Sequence, residues 1–426
     1  MHPRLVLASK NSSSFDIKRY SSLNSKIFKA IKTLALKLRG LSVVHISATP
    51  KGGGVAELLA SQISFENAIG LKSKWFTMEA PSSFFGVTKR LHNLLQGRQG
   101  ILSQGEKRIY SEVNQQIGKR TPLLFKEIKP NIVIVHDPQP LPMINFLPKE
   151  TKSIVRLHID LSTPNPLATE FMRPSLNLYQ QVVLSSKVYK QAFVWLPKQK
   201  VKIILPAIDP FSEKNKNMES TAAQSIVEQF GINTTKPIIT QVSRFDAWKD
   251  PLGVIKAYYL AKNKIPNLQL VLAGFLIAQD DPEAVEIFRH VKRHARGDPD
   301  IHLFVNLRQL GSVSNDTFIN ALYTASTIIL QKSLREGFGL TITEAMWKKK
   351  PVIAGRTIGA NLQIKHNKNG ILVSSPEETA SAIIRLVKDE KRRRKMGELA
   401  YRSVCNNFLL PRSILDHLKL YALMGA

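Results

Sequence analysis

Short runs of β-branched and other apolar residues alternate along most of the chain with segments of helical periodicity. This alternation is typical of parallel sheets built from strand–helix–strand units. The strands predicted in the first half span residues 41–47, 131–136, 153–159, 181–186 and 201–205. Those predicted in the second half span residues 237–243, 268–274, 301–306, 326–330, 351–355 and 371–373. We therefore expect an α/β fold.

The chain length of 426 residues exceeds what one hydrophobic core usually supports, so two domains of about 200 residues each are expected. A polar segment that begins PAIDPFSEKNKNMES separates the two sets of strands. The predicted division is an N-terminal Rossmann-like domain over 1–205, a linker over 206–236, a second Rossmann-like domain over 237–400 and a C-terminal helical segment over 401–426. We expect the last segment to pack back on the first domain and the two doubly wound domains to face each other across a cleft.

The chain carries a large positive charge, with 61 Lys and Arg against 32 Asp and Glu, a net +29. Such an excess attracts polyanions of any kind, including nucleic acid and anionic lipid. The bases are scattered, however, and the one dense run, at 391–395, is better explained as the solvated face of a helix. We expect no specific nucleic-acid partner and only weak contact with anionic surfaces.

Residues 25–39 predict an amphipathic helix with lysines opposite its apolar stripe. Such a helix could lie on an anionic membrane, but it more often packs on its own domain, which we favour here. The stripe consists of Ile27, Phe28, Ile31, Leu34 and Leu38.

Several classes of protein are disfavoured by what the sequence lacks. No apolar run approaches the ~18 residues of a membrane span, and the apolar patch from Leu5 to Ala8 is too short for a secretory signal. A single cysteine, Cys405, cannot form an internal disulfide or a cysteine metal cluster. A cytoplasmic protein is expected.

Ligands of open α/β sheets bind beyond the carboxyl ends of the strands. One candidate segment there is Gly52–Gly54, where glycines let backbone N–H groups approach an anion and the next helix offers its positive end. A plain flexible turn would explain the glycines equally well.

Another candidate is the segment VSRFDAWKD, which places Arg244 and Lys249 beyond a strand. Two cations there suit a diphosphate leaving group. On charge alone, two surface bases remain an alternative.

Two further segments place acids or a histidine at strand ends. Glu336 lies in a glycine-containing loop, and Glu344 follows about one turn into a helix, so both carboxylates can face one ligand, one towards sugar hydroxyls and one towards a ribose. In RLHIDLSTPN, His158 and Asp160 follow an apolar strand. Histidines in such positions are often structural, but the nearby acid and polar turn favour hydroxyl binding.

Arg244, Lys249 and the pair of glutamates resemble the donor site of retaining glycosyltransferases of the family-4 type, which have the GT-B fold of two Rossmann-like domains. Most of the chain between residues 41 and 370 also resembles the trehalose glycosyltransferring synthases and the related trehalose phosphorylases. The segments that carry this resemblance are SATPKGGGVAELL, EAPSSFFGVTKRLHNLLQG, VHDPQP, LHIDLSTPN, PIITQVSRFDAWKD, FVNL and LREGFGLTITEAMWKKKPVIAG.

The resemblance implies a role for each matching position. Arg244 and Lys249 would bind the donor diphosphate, Glu344 the ribose, and His158 the transferred sugar near its reacting carbon. Glu336 would bind the hydroxyls of that sugar together with the loop formed by Gly337, Phe338, Gly339 and Leu340. Asn306 and Leu307 would lie by the base. The acceptor side would consist of Gly53, Gly54, Glu57, Asp137, Gln139 and Asp160.

The sequence departs from the usual family pattern at two positions. Asp250 replaces a glycine after the lysine and brings a negative charge to the diphosphate side. Gly359 is followed by Ala360 where two glycines are usual, which adds a side chain near the phosphate loop. The triplet Asp298-Pro299-Asp300 matches a metal-binding pattern of other glycosyltransferases only superficially and is interpreted as a loop.

The expected function is that of a retaining hexosyltransferase that moves glucose from UDP- or ADP-glucose to free glucose and forms trehalose. Neither a tightly bound cofactor nor a metal is implied, because cations and helix ends replace the metal in this fold. A phosphorylase that uses orthophosphate is the first alternative. A polyanion- or membrane-surface-binding protein with a vestigial site is the second. The partners expected are sugars and the nucleotide sugar; a homodimer is one candidate for an oligomeric state that the sequence leaves open.

Overall fold

A computed structural model describes residues 4–8, 15–51, 53–275 and 283–425 of the chain. These residues divide into two compact units. The first unit contains the described residues up to 206 together with 410–425, and the second contains 207–275 and 283–409. The end of the chain therefore returns to the unit in which the chain begins.

The described part of the first unit has a seven-stranded sheet with the order β1-β3-β2-β4-β5-β6-β7. Neighbouring strands are parallel except β1, which is antiparallel to β3. The strands are β1 Arg4–Leu7, β2 Ser42–Ser47, β3 Lys72–Glu79, β4 Ile132–His136, β5 Lys152–Leu157, β6 Gln181–Leu184 and β7 Val201–Ile203. The sequence did not predict β1 or β3. In β3 the exposed Lys72 and Lys74 interrupt the apolar run, although Trp75 and Phe76 are buried.

Helices pack around this sheet, and the last of them comes from the end of the chain. They are α1 Ser25–Lys37, α2 Gly54–Ala68, α3 Ser82–Leu95, α4 Gln104–Gly118, α5 Thr121–Ile128, α6 Pro166–Leu178 and α15 Leu410–Leu423. Helix α15 packs against α1 and α2. Phe28 and Ile31 of α1 are buried inside the unit, so the apolar stripe of the predicted amphipathic helix is used by the fold.

The described part of the second unit has a six-stranded sheet with the order β10-β9-β8-β11-β12-β13, and its neighbouring strands are all parallel. The strands are β8 Ile238–Val242, β9 Gln269–Ala273, β10 Ile301–Phe304, β11 Ile328–Gln331, β12 Val352–Gly355 and β13 Ile371–Val373. Their side chains form a buried apolar core, as Ile239, Leu270 and Leu330 illustrate. The predicted parallel α/β fold is confirmed in both units.

The helices of the second unit are α7 Ser220–Glu228, α8 Pro251–Lys262, α9 Ala284–Ala295, α10 Asn315–Ala325, α11 Leu340–Trp347, α12 Ile358–Gln363, α13 Pro376–Lys388 and α14 Glu390–Asn407. Helix α7 lies inside the segment 206–236 and packs against α10. The basic run 391–395 lies at the start of α14, where half-buried Arg393 donates to the backbone oxygens of Leu386 and Val387. Part of that run therefore stabilises the fold.

None of the helices in the described part of the chain combines the length and the apolar character that a membrane span needs.

Candidate active site

Lys249 and Glu336, predicted from separate segments, are in direct contact in the second unit. Strands β8 and β11 are parallel neighbours, so the residues that follow them leave the same edge of the sheet. The Lys249 Nζ donates to Glu336 Oε2 at 2.6 Å. Gln331 Nε2 and Ser333 Oγ donate to the same oxygen, each at 3.2 Å. These donors fix the position of the carboxylate on a side chain that is only 11% exposed.

Arg244 also follows β8 and is the more exposed of the two predicted cations. Its side chain is 38% exposed, against 18% for Lys249. Its Nη2 lies 3.9 Å from Asp246 Oδ2, a long contact, while Asp246 Oδ1 accepts from the Trp248 backbone N–H at 2.8 Å. The guanidinium is thus accessible to an anion.

Asp250, the unusual acid beside Lys249, caps α8 and is paired with a lysine. Its Oδ1 accepts from the Gly253 N–H at 3.0 Å, and its backbone is left-handed with φ of 47°. A Cβ at Gly253 would lie 2.2 Å from Asp250 Oδ2, so the cap requires glycine there. Lys332, which follows β11, donates its Nζ to Asp250 Oδ2. The negative charge expected near the diphosphate side is therefore balanced.

Glu344 lies in α11 and is already held by two side chains. Lys214 Nζ forms an ion pair with its Oε1 at 2.7 Å, and the Tyr323 hydroxyl donates to its Oε2 at 3.0 Å. The carboxylate is buried, with a relative exposure of 1%. Sequence reasoning missed Lys214 because it lies in the segment predicted as a linker and is one of 61 lysines and arginines.

Helix α12 holds the loop that leads from Glu336 into α11. The Gly359 N–H donates to the Glu336 backbone oxygen at 3.0 Å, and Gln363 Nε2 donates to the Phe338 oxygen at 2.6 Å. A Cβ at Gly359 would lie 2.7 Å from backbone atoms of Phe338, so only glycine fits there. Gly339 has a left-handed φ of 84°, which favours glycine. Both glycines are thus explained by the shape of this loop.

The residues predicted to lie by the base follow the edge strand β10. Asn306 Oδ1 accepts from the Arg308 N–H at 3.0 Å and so caps a short 3₁₀ turn. Leu307 is 43% exposed. In the sheet order, β9 separates β10 from β8, so this pair leaves the sheet two strands away from Arg244 and Lys249.

In the first unit, the predicted acceptor residues follow three neighbouring strands, β2, β4 and β5. After β4, Asp137 has a left-handed φ of 65°, and its Oδ1 accepts from the backbone N–H of His158, which follows β5. Asp160 Oδ1 accepts from the Ser162 N–H at 2.8 Å. Gln139 Oε1 is buried and has no hydrogen-bond partner among the described residues. It is an acceptor that a bound hydroxyl could satisfy.

The glycines before α2 are only partly described, since Gly52 lies outside the described residues. Gly53 is the N-cap, with an extended φ of −161°, and Gly54 is the first helical residue. A Cβ at Gly53 would meet nothing within 4 Å, so the fold alone does not require glycine there. Glu57 is exposed in the first turn of α2.

His158 is connected to a line of buried side chains that sequence reasoning missed. Its Nε2 lies 3.0 Å from His136 Nδ1, and His136 Nε2 lies 3.1 Å from His45 Nδ1. His45 Nε2 lies 3.2 Å from Glu66 Oε2. Burial, reinforced by the charge of Arg156, places the pKa of His158 well below its ordinary value. The histidines inside the apolar runs VVHIS and VIVH were the available signal.

The Asp298-Pro299-Asp300 triplet contributes to an ion-pair cluster. Lys262 Nζ lies 2.8 Å from Asp298 Oδ1 and 3.0 Å from Asp300 Oδ2. The loop interpretation agrees with these contacts. Among the described residues, no group of three or more His, Cys, Asp or Glu side chains could hold a metal ion.

Sequence and structure comparisons relate the chain to known glycosyltransferases. Residues 45–191 match the family model described as trehalose synthase, N-terminal domain, and residues 223–403 match glycosyl transferases group 1. The chain is 40% identical to a trehalose synthase of Rubrobacter xylanophilus over 94% of its own length and 95% of the relative. It is 27% identical to a trehalose phosphorylase of Pleurotus pulmonarius over 94% of its length but 61% of that protein. A UDP-forming trehalose-phosphate synthase of Burkholderia xenovorans, solved with glucose-6-phosphate, superposes with a TM-score of 0.72 at 13% identity, covering 90% of this chain and 100% of that one.

The two Rossmann-like units and the group 1 match define a glycosyltransferase of the GT-B class. Within that class, the chain belongs to the trehalose synthase family. The protein is therefore a hexosyltransferase of trehalose metabolism, and the family resemblance seen in the sequence is confirmed.

Proposed function

We propose that the protein is a retaining glucosyltransferase that moves glucose from a nucleotide-diphosphate glucose to free glucose, forming trehalose reversibly. The observation that carries the proposal is the contact between Lys249 and Glu336. It brings to one sheet edge a cation that would bind phosphate and a carboxylate that would bind sugar hydroxyls, as a donor with a sugar attached to a diphosphate requires.

The charges of the second unit suit such a donor. Arg244 has an accessible guanidinium, and Lys249 faces the carboxylate of Glu336. Asp250 does not cancel these cations because Lys332 pairs with it. Glu344 would hold the ribose while Lys214 balances its buried charge. A diphosphate would therefore meet the accessible guanidinium of Arg244 and the ammonium group of Lys249.

The first unit would supply the acceptor side. Asp137, Gln139 and Asp160 follow adjacent strands, and buried Gln139 Oε1 accepts no hydrogen bond from any residue that the structure describes. In the transfer, the bond between the glucosyl C1 and the leaving phosphate oxygen breaks while C1 bonds to the acceptor oxygen on the same face. The proton of the acceptor hydroxyl passes to the departing phosphate. The protein then contributes orientation and electrostatic stabilisation.

A phosphorylase that uses orthophosphate is the competing proposal within the family. It would need a pocket for one phosphate and would gain nothing from a ribose-binding carboxylate. Support for the synthase comes from Glu344 and from the match to nearly the full length of a trehalose synthase, against 61% of the phosphorylase. The donor would be UDP- or ADP-glucose.

The test is a direct comparison of acceptors for the glucosyl unit. The protein is given trehalose with UDP, ADP or orthophosphate, and the products are separated and weighed by mass spectrometry. We expect nucleotide-glucose with a nucleoside diphosphate and no glucose 1-phosphate with orthophosphate alone. Glucose 1-phosphate formed at a comparable or faster rate would favour the phosphorylase. A parallel incubation of nucleotide sugars with free monosaccharides identifies the donor and the acceptor.

A further inference from the structure

Three buried side chains of the first unit and the half-buried His158 form a continuous hydrogen-bonded line that ends at His158. Glu66 on α2 contacts His45 on β2, His45 contacts His136 on β4, and His136 contacts His158 beyond β5. The relative exposure of Glu66, His45 and His136 is at most 1%. Each ring uses one nitrogen towards each neighbour, so the state of one ring constrains the next. We call this line the histidine relay.

At the Glu66 end of the relay, the donor and acceptor of each hydrogen bond are fixed, because the Glu66 carboxylate accepts four hydrogen bonds. Gln62 Nε2 and the Tyr421 hydroxyl donate to Oε1, at 2.8 and 2.9 Å. The Ser73 hydroxyl donates to Oε2 at 2.6 Å, and His45 Nε2 reaches the same oxygen. Burial would raise the pKa of Glu66, but the interactions with His45, Ser73 and Gln62 outweigh it and lower the pKa to about 2. An ionised carboxylate can only accept, so His45 must carry a proton on Nε2.

The direction then propagates, because a neutral imidazole has one N–H and one bare nitrogen. In its neutral form, with the proton on Nε2, His45 would accept at Nδ1 from His136 Nε2–H. His136 in turn accepts at Nδ1 from His158 Nε2–H. His158 is left with a bare Nδ1 that can accept a hydrogen bond.

Burial and nearby charges disfavour additional protons on two rings of the relay, those of His136 and His158. Burial, followed by the charges of His158, His45 and Arg156, places the pKa of His136 well below its ordinary value. Arg156 donates to His417 Nε2 at 2.8 Å, and His417 Nδ1 lies 2.7 Å from the Ser413 oxygen, so His417 is fixed in the neutral form with its proton on Nδ1. The positive charge in this buried region is therefore the guanidinium of Arg156, and His417 carries none.

We propose that Glu66 acts through His45 and His136 as a positioning residue that fixes His158 as the tautomer with its proton on Nε2 and an accepting Nδ1. The function of that nitrogen rests on the proposed function and on the role that the family resemblance implies for His158, which would contact the transferred glucose and accept a hydrogen bond from one of its hydroxyls. A sugar hydroxyl can donate to a bare nitrogen but not to an N–H. The relay thus favours the orientation in which the sugar hydroxyl points its hydrogen at His158 Nδ1.

Nuclear magnetic resonance of the full chain tests the tautomer without any assay of activity. The protein is labelled with ¹⁵N in its histidine rings, and the His158 signals are assigned as those absent from His158→Gln. In the unmodified protein we expect the shift of a protonated Nε2 and of a bare Nδ1. A proton on Nδ1, or on both nitrogens, would overturn the proposal.

Variants test whether Glu66 sets this state. In Glu66→Gln the amide both accepts and donates, so both directions of the relay become available and His158 should show a mixture of tautomers. Tyr421→Phe is the matched control, since it removes a donor from the same carboxylate but leaves the relay intact; His158 should keep its single tautomer. Should Glu66→Gln not fold, His136→Phe cuts the relay at its middle and should give the same mixture. Unchanged His158 signals in the folded variant would refute the role of Glu66.

Kinetics then separates the relay from the proposed function. We expect Glu66→Gln to lower kcat/KM about 5- to 10-fold, the effect of one ordinary hydrogen bond, with nucleoside diphosphate binding unchanged. A tautomer mixture without loss of kcat/KM would overturn the positioning role. If no donor yields a disaccharide in the unmodified protein, the proposed function fails, while the ring signals still decide whether Glu66 controls His158.

Discussion

Lys332 forms an ion pair with Asp250, and both residues lie beside the carboxyl ends of neighbouring strands in the second unit. The side chain of Lys332 is 5% exposed and that of Asp250 is 19% exposed, so the pair is largely removed from water. The family pattern has glycine where this chain has Asp250. We therefore expect Asp250 to influence the affinity of the protein for its nucleotide donor.

Asp250→Gly should bind nucleoside diphosphates more tightly than the unmodified protein. The change leaves Lys332 without its carboxylate, so its charge becomes available to phosphate, and glycine tolerates the left-handed backbone at this position. One charge-assisted contact is worth about 1.5–3 kcal/mol, or roughly 10- to 150-fold in Kd. Isothermal titration calorimetry with UDP and ADP measures it, and Asp250→Gly combined with Lys332→Met should return the affinity to near its original value. Equal affinities in all three proteins would contradict the prediction.

Glu336→Gln should reduce turnover strongly while nucleoside diphosphate binding stays at least as tight. The carboxylate is assigned to the sugar, and its loss frees Lys249, which now donates to it at 2.6 Å. Turnover is followed by disaccharide formation, and binding by calorimetry. Parallel losses of turnover and of nucleotide binding would show that Glu336 serves the diphosphate or the fold instead.

Arg244→Ala should weaken nucleoside diphosphate binding by about 1.5–3 kcal/mol, because it removes a charge-assisted contact. A suitable control is Arg289→Ala, since Arg289 is an exposed arginine of α9 paired with Glu286. That control should bind the nucleotide normally. An unchanged Kd for Arg244→Ala would remove this residue from the site.

Glu66 should make stability depend on pH in acid. Its folded pKa, about 2, lies below the ordinary 4.5, so the ionised form contributes stability at pH values above 4.5 and loses it as the pH falls towards 2. The displacement corresponds to about 3 kcal/mol. In urea unfolding, Glu66→Gln should be less stable than the unmodified protein by about this amount at pH 7, and the difference should shrink at pH 3. Exposed Glu150→Gln is the control, and a difference independent of pH would argue against an ionised Glu66.

The net charge of +29 should produce only weak, non-specific polyanion binding. Scattered lysines neutralise few phosphates at once, so binding should vanish near physiological salt. Filter binding to duplex DNA and co-sedimentation with anionic vesicles, each over a salt series, measure this. Retention at about 0.3 M salt would favour the alternative of a polyanion- or membrane-binding protein.

A structural feature could be predicted from the sequence when it depends on a short local segment of the chain. The strands 131–136 and 371–373 were recognisable because a buried parallel strand needs a continuous apolar run, whereas β3 was missed because its lysines break that run. The positions of Lys249 and Glu336 could be predicted since each follows its own strand, and the resemblance assigned them to one site.

The partners of the site residues could not be predicted in the same way. Lys332 and Asp250 are separated by 82 positions, and nothing in either local segment indicates the other. In the same way, nothing in the sequence distinguishes Lys214 from the other lysines and arginines, 61 in all. The histidine relay gave a faint signal in two strands, but Glu66 lies on a helix, and only the packing of α2 on the sheet brings it to His45.

Helix α15 has a consequence for how the protein is made. The first unit needs Tyr421 for its buried Glu66 and His417 for its buried Arg156, yet both residues are translated after the entire second unit. A nascent chain that has emerged only as far as residue 206 therefore has a buried acid and a buried base without these partners. The first unit to leave the ribosome therefore completes its core only after α15, which follows the second unit in the chain, has been synthesised.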